Sequence, residues 1–235
     1  MLGRKKKEPV LEPVPWERAD WFVVTETVRL STFRRKKLTG PRAVRVPTMV
    51  DGVRHFAPVA VVTGSGGDTP TYTLYDATRP DAVLCTLTPE KGGARYRVTD
   101  ERGTELGTAH RTPAAKRTIQ HSWWLRPTGH PDVVARYHWS RGSVKDIAVR
   151  GKDMAVREAG RVVETAIDTA LSFGVEDPGA GGRPGPARPV TWLADGAEEP
   201  LALTSGHVDG VTTYTHKASW LDRRLVFALG ILREA

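Results

Sequence analysis

Two runs of cations, Arg4-Lys5-Lys6-Lys7 and Arg34-Arg35-Lys36-Lys37, are the residues of this chain best suited by type and spacing to do chemistry. Residues 1–45 hold 12 Lys and Arg against 5 Asp and Glu, leaving 23 against 22 in the other 190, so the net charge of +8 belongs to the N-terminal end. Such clusters attract anionic surfaces, and near acidic lipid each Lys or Arg contributes about 1 kcal/mol. Arg4 to Lys7 alone give about 4 kcal/mol and millimolar binding; adding Arg34, Arg35, Lys36 and Lys37 brings about 8 kcal/mol and micromolar binding. An anionic-lipid site therefore requires both clusters on one face. A solvated, solubilising arm explains the first cluster alone equally well. Nucleic-acid phosphates would attract the same cations, but no interleaved aromatics and no reading motif accompany them, so only salt-sensitive, sequence-independent binding is expected there.

Other groups of reactive residue types fit their local context without a reaction. Ser140, His138 and Asp146 are the elements of a hydrolytic triad, yet they lie in a strand and turn that lack a nucleophile elbow. His121 and His138 have neither nearby Cys nor the tight spacing of a zinc site. Asp76, Asp100 and Glu158 each fall where a strand ends, so turn chemistry accounts for them better than paired catalytic carboxylates do. The Gly64-Ser65-Gly66-Gly67-Asp68 segment is a loop with neither the Lys-Ser/Thr ending nor the following helix of a phosphate cradle. Cys85, the single cysteine, excludes an internal disulfide framework and reads as a buried, inert thiol between Leu84 and Leu87. The expectation is a non-enzymatic protein with no cofactor and no metal.

The elements that must position the clusters are β-strands. With 23 Gly and 17 Pro in 235 residues the chain suits many tight turns. Residues 1–18 read as a flexible basic arm, and residues 19–235 as one domain. Strand patterns occupy Trp21 to Leu30, Val44 to Val46 and Val59 to Val62, with Asp51-Gly52 a hairpin turn between the last two. An internal repeat follows: Tyr72-Thr73-Leu74-Tyr75-Asp76 matches Tyr96-Arg97-Val98-Thr99-Asp100, each leading through a turn into a strand with Leu84 or Leu106. A weaker third copy spans Met154 to Glu158 and continues to Val163. Period-two alternation groups Ile119, His121, Trp123 and Leu125 on one face, with Trp124 opposite, and groups Val133, Ala135, Tyr137 and Trp139. Residues 176–189 form a Gly/Pro-rich loop. Strand signals return at Val190 to Leu193, Leu201 to Leu203 and Val211 to Thr215, with a turn at Asp195-Gly196 between the first two.

The chain closes on a helix expected over residues 219–233, with Ser219 as its cap signal and Asp222 three residues on. Leu225 to Leu232 carry no charge and no partition into faces, so the helix needs cover on all sides, while eight residues fall far short of the roughly 20 that cross a bilayer. About a dozen strands closed into an antiparallel barrel around that helix would bury both surfaces and remove exposed sheet edges. A sandwich is the alternative, and would cover one helix face only. The start of the chain has the charge of a signal peptide but no apolar region after it, so the expected location is cytoplasmic, with any membrane contact peripheral at the inner face.

The Tyr-x-Val-x-Asp hairpins from Tyr96 to Leu106, the strands bearing Trp123 and Trp139, and the apolar helix preceded by Trp220-Leu221-Asp222 resemble the tubby-like superfamily over residues 20–235. The nearer likeness is to its LURP-one-related and phospholipid scramblase branch. The resemblance implies a 12-stranded antiparallel barrel with a central hydrophobic helix. Tubby proteins bind phosphoinositide headgroups through basic residues outside the barrel, whereas many LURP-one-like members have no settled activity. No position here matches the tubby Lys/Arg pair or a scramblase calcium site, so neither function carries over by residue. Two functions remain in competition: a peripheral anionic-lipid or membrane-surface module, and a cytoplasmic protein-interaction scaffold with a solubilising arm and an unspecified protein partner.

Overall fold

The computed structural model describes residues 8–33, 36–112, 123–136 and 190–235. Its strands are β1 (Trp21–Arg29), β2 (Leu38–Val50), β3 (Val53–Gly64), β4 (Tyr72–Asp76), β5 (Val83–Glu90), β6 (Arg95–Thr99), β7 (Glu105–Arg111), β8 (Trp123–Pro127), β9 (Val133–Arg136), β10 (Val190–Ala194), β11 (Leu201–Val208) and β12 (Val211–His216). Each pairs antiparallel with its neighbours in sequence, and β1 closes the ring by bonding β2 on one side and β12 on the other. Val24 lies opposite Val44 across one seam, and Phe22 opposite Tyr214 across the other. The closed 12-stranded antiparallel barrel expected from the strand count is therefore the observed architecture, and among the described strands it leaves no open edge to template aggregation.

The turns follow the local chemistry. Asp51 and Gly52 both adopt positive φ (51° and 73°), the two-residue hairpin geometry that matches strand twist. In the first repeat the Asp76 carboxylate accepts from Thr78 N (2.8 Å) and Thr78 Oγ1 (2.7 Å); in the second, Asp100 accepts from Arg102 N (2.9 Å) and Thr104 N (2.8 Å). Both acids tie down the turn that starts the next strand. The third repeat copy, His121, His138, Tyr137, Trp139, the Ser140/Asp146 pair and the 176–189 loop lie outside the described residues.

The interior is filled by α1 (Arg223–Arg233), whose residues Leu225 to Leu232 are all buried. The helix packs on β1 and β12 at one side of the ring and on β5, β7 and β8 across from them. Phe227 meets Phe22 of β1 edge to face at 4.9 Å, and Phe22 stacks on Tyr214 of β12 at 5.3 Å. Trp123 and Leu125 point into this core with Trp192 and Leu203, while Trp124 turns to the outer face, as the alternation predicts. The all-round burial explains why this helix shows no polar stripe.

Two expectations need correction. The helix begins at Arg223, with Asp222 as its cap through a 2.8 Å bond from Arg224 N, rather than at Ser219. Ser219 lies in the turn before the helix, closed by the Leu221 N to Ala218 O bond; its N–H donates to the Glu199 carboxylate, and the neighbouring Trp220 indole donates to the Glu199 carbonyl. Residues 8–18, expected as part of a flexible arm, run along the barrel. Val14 N donates to Pro58 O (2.9 Å), Trp16–Arg18 makes a 3-10 turn, and Arg224 lies over the Trp16 ring at 5.6 Å. Val14 and Trp16 supply the apolar surface that a charged, proline-rich tail would lack, and both pack against the core.

Candidate functional site

Of the eight cations singled out by their clustering, Lys36 and Lys37 lie among the described residues; Arg4, Lys5, Lys6, Lys7, Arg34 and Arg35 lie outside them. Lys36 and Lys37 are exposed on the short connection from β1 to β2. The same connection carries Phe33, which is as exposed as a free side chain (104 %). The connection thus displays an apolar ring in water beside two exposed ammonium groups.

The connection is anchored from below by Arg29, the last residue of β1 and only 4 % exposed. Its Nη2 donates to the Lys36 carbonyl at 2.8 Å and lies 3.3 Å from Glu8 Oε1. One guanidinium thus joins the chain segment that follows Lys7 directly to the segment that holds Lys36. Arg29 also pairs across the sheet with His55 of β3, and the residue before it, Arg54, forms an ion pair with Asp209 in the β11–β12 turn. The arm, the β1–β2 connection and the β2–β3 hairpin therefore converge on Arg29. His55 is buried as well; its Nδ1 donates to Val53 O (2.9 Å), which leaves Nε2 as an acceptor.

Hydrogen bonding separates this arginine from its neighbour Arg45, which is equally buried. Arg45 donates Nε to Thr25 O, Nη1 to Phe56 O and Nη2 to Pro41 O, so every nitrogen has an acceptor. Burial lowers its pKa from the usual guanidinium value, yet three carbonyl dipoles solvate the charge. Arg29 Nε and Nη1, and His55 Nε2, are buried without a hydrogen-bond partner among the described residues.

A second candidate is an open groove of about 590 Å³ on the outer face of β7 and β8, lined by Arg95, Thr108, Arg126, His130 and Asp132 among others. Two of its charges pair within it, while Arg95 pairs with Glu90 and Glu105 with Arg97 outside the lining. Arg126 grips Asp132 through two bonds of 2.8 and 2.9 Å, which holds the Asp132 carboxyl below the usual carboxylate range. His110 stacks on Trp124 at 4.1 Å and bonds Thr108 Oγ1 at 2.7 Å; burial, then the nearby Arg126, pushes its pKa down and keeps the ring neutral. Among the described residues no group of three His, Cys, Asp or Glu is arranged to hold a metal ion, and no helix is long and apolar enough to cross a membrane.

The sequence reading missed Arg29, His55, Glu8 and Phe33. Phe33 had a local signal, since it immediately precedes the second cluster. Arg29 had none, because its burial comes from segments distant in sequence. Comparison with protein families, with curated proteins and with solved structures yields no match.

Proposed function

We propose that this protein is a non-enzymatic, tubby-like barrel of the LURP-one-related and scramblase-like kind that docks on the anionic inner face of a cytoplasmic membrane through its basic N-terminal corner. The observation that carries the reading is the double contact of Arg29, which brings the residue after the first cluster and a residue of the second to the same nitrogen. Eight cations near one surface give about 8 kcal/mol, against about 4 for either cluster alone. The exposed Phe33 ring adds about 1.5–3 kcal/mol if it leaves water for the interface. The helix filling the barrel takes the space in which a lipocalin-like barrel holds its ligand, so contact with a partner falls to the outer surface.

The test is co-sedimentation with neutral and phosphatidylserine-containing vesicles at low and physiological salt, beside a variant with Lys5, Lys6, Lys7, Arg34, Arg35, Lys36 and Lys37 neutralised. Binding to anionic vesicles that survives physiological salt and disappears in the variant is the expected result. Equal behaviour of the two proteins sinks the docking reading and favours a protein-interaction scaffold, for which the β7–β8 groove is the available contact surface.

A further inference from the structure

A buried guanidinium short of two acceptors is unfavourable by the desolvation of its unpaired donors, so its persistence asks for a partner. Arg29 is in that position through Nε and Nη1, and His55 Nε2 is buried without a partner beside it. The group now countering the Arg29 charge is the Glu8 carboxylate, at 3.3 Å from Nη2. Glu8 is 38 % exposed and belongs to a stretch without secondary structure, so its departure would uncover Arg29 without opening a strand.

We propose that Arg29 and His55 are the floor of a binding site for a phosphate monoester, occupied in this state by the chain's own Glu8 carboxylate. A phosphate offers three oxygens where the carboxylate offers two, and it can take Nε together with one Nη in the fork geometry that guanidinium groups favour. In a singly protonated phosphate monoester one of the three terminal oxygens is a hydroxyl and the fourth oxygen is the ester link; His55 Nε2 can accept the hydroxyl's hydrogen bond because its Nδ1 proton is committed to Val53 O. Lys36 and Lys37 stand exposed on the adjoining connection and supply the rim charge. Glu8 then acts as an internal competitor that holds the arm on the barrel until a stronger oxyanion replaces it. A phosphatidic acid headgroup and free phosphate share this chemistry; the membrane as its source rests on the docking reading above.

Calorimetric titration of the full chain with sodium phosphate at constant ionic strength tests the site, repeated on Glu8→Gln and Arg29→Lys. Removing the competitor should tighten phosphate binding by about fivefold, the effect of losing one partly exposed ion pair. Arg29→Lys keeps the charge but loses the fork, and should abolish binding. Unchanged affinity in Glu8→Gln overturns the proposal, and that variant decides alone if Arg29→Lys does not fold. Vesicles of neutral lipid with phosphatidic acid separate the sources: stronger sedimentation of Glu8→Gln identifies the headgroup, and tighter soluble phosphate without it identifies the free anion. Tight soluble binding with no vesicle binding defeats the docking reading alone, whereas intact vesicle binding with no Glu8 effect defeats the Arg29 site alone.

Discussion

Helix α1 and the Arg29 corner both bury charged and polar groups, but they treat them in opposite ways. At the helix, Asp222 caps the first turn, Arg42 donates to the Ile231 carbonyl at 2.9 Å, and Arg233 lies over Trp192 at 4.8 Å. Tyr214, deep in the core, sends its hydroxyl to Glu234 at 2.9 Å. The start of the helix is capped by its own flanking Asp222, and its end meets Arg42 and Tyr214 from the surrounding strands. At the corner a buried arginine and histidine keep unpartnered nitrogens, and a phenylalanine stands in water. Local choices that agree with one another mark the part of a chain that specifies the fold; rules broken in one place mark the part retained for another purpose. The two regions should therefore answer mutation differently, in stability at the helix and in binding at the corner.

The largest effect expected is from deleting residues 224–235. Leu225, Val226, Phe227, Leu229, Ile231 and Leu232 contribute on the order of 9–18 kcal/mol gross at about 1.5–3 each, against a net domain stability of about 5–15 kcal/mol. The truncated chain should show no cooperative thermal transition by circular dichroism. A soluble truncate that melts cooperatively would break the comparison, because the helix would then be cargo and not core. The milder Phe227→Ala, which removes the ring packed on Phe22, should lower stability by about 3–5 kcal/mol in urea titration.

Next in size is Gly107→Ala on the barrel wall. Gly107 has φ 151°, and a Cβ there would meet the Arg126 carbonyl oxygen at 2.5 Å and Pro127 Cα at 2.9 Å. Both are backbone atoms of β8, so the β7–β8 pairing must part to admit a methyl group. A loss of at least about 2 kcal/mol is expected, read from the urea midpoint. A wild-type midpoint would mean that this wall yields as freely as a loop.

Much of the wall was legible because its signals are local. Asp51-Gly52 announces its hairpin, Asp76 and Asp100 announce their turns, and the unbroken run from Leu225 to Leu232 announces a helix with no solvent face. The helix start was misplaced because Ser219 and Asp222 are both plausible caps, and the choice depends on Glu199, twenty residues away in sequence. The corner was legible only in its cations. An arginine ending a strand reads as solvent-facing, and what buries Arg29 is an arm 21 residues earlier and a hairpin 26 residues later, with no periodicity linking them.

A smaller effect separates turn acids from site acids. Burial raises the Asp76 carboxyl, but bonds from the Thr78 hydroxyl and amide and from Arg79 outweigh it, leaving the pKa below the usual carboxylate value. A group depressed in the folded state stabilises the protein above its unfolded pKa of about 3.9, and that contribution fades as pH falls through the folded value. Asp76→Asn keeps one acceptor oxygen and loses the Arg79 ion pair, so it should lower stability by about 1 kcal/mol at pH 7. Below about pH 4 the gap to the parent should narrow, and melting curves at pH 7 and pH 3 check the sign. A gap that widens in acid would mean that the Asp76 carboxyl is stabilised in its protonated form.

Phe33→Ser should do least to the fold and so sharpens the comparison most. A side chain already fully in water has no burial to lose, and its replacement should leave the melting midpoint within the range of about 0.5 kcal/mol typical of surface changes. At an anionic vesicle the same substitution removes about 1.5–3 kcal/mol of transfer free energy, which is about tenfold to hundredfold in affinity. The loss should persist at high salt, where the contribution of Lys36 and Lys37 is screened, because the ring acts through water and not through charge. Unequal salt responses of Phe33→Ser and the lysine variants would identify two physical contributions at one corner. If Phe33→Ser instead lowered the melting midpoint and left vesicle binding untouched, the ring would belong to the fold, and the contrast between helix and corner would fail at the residue that defines it.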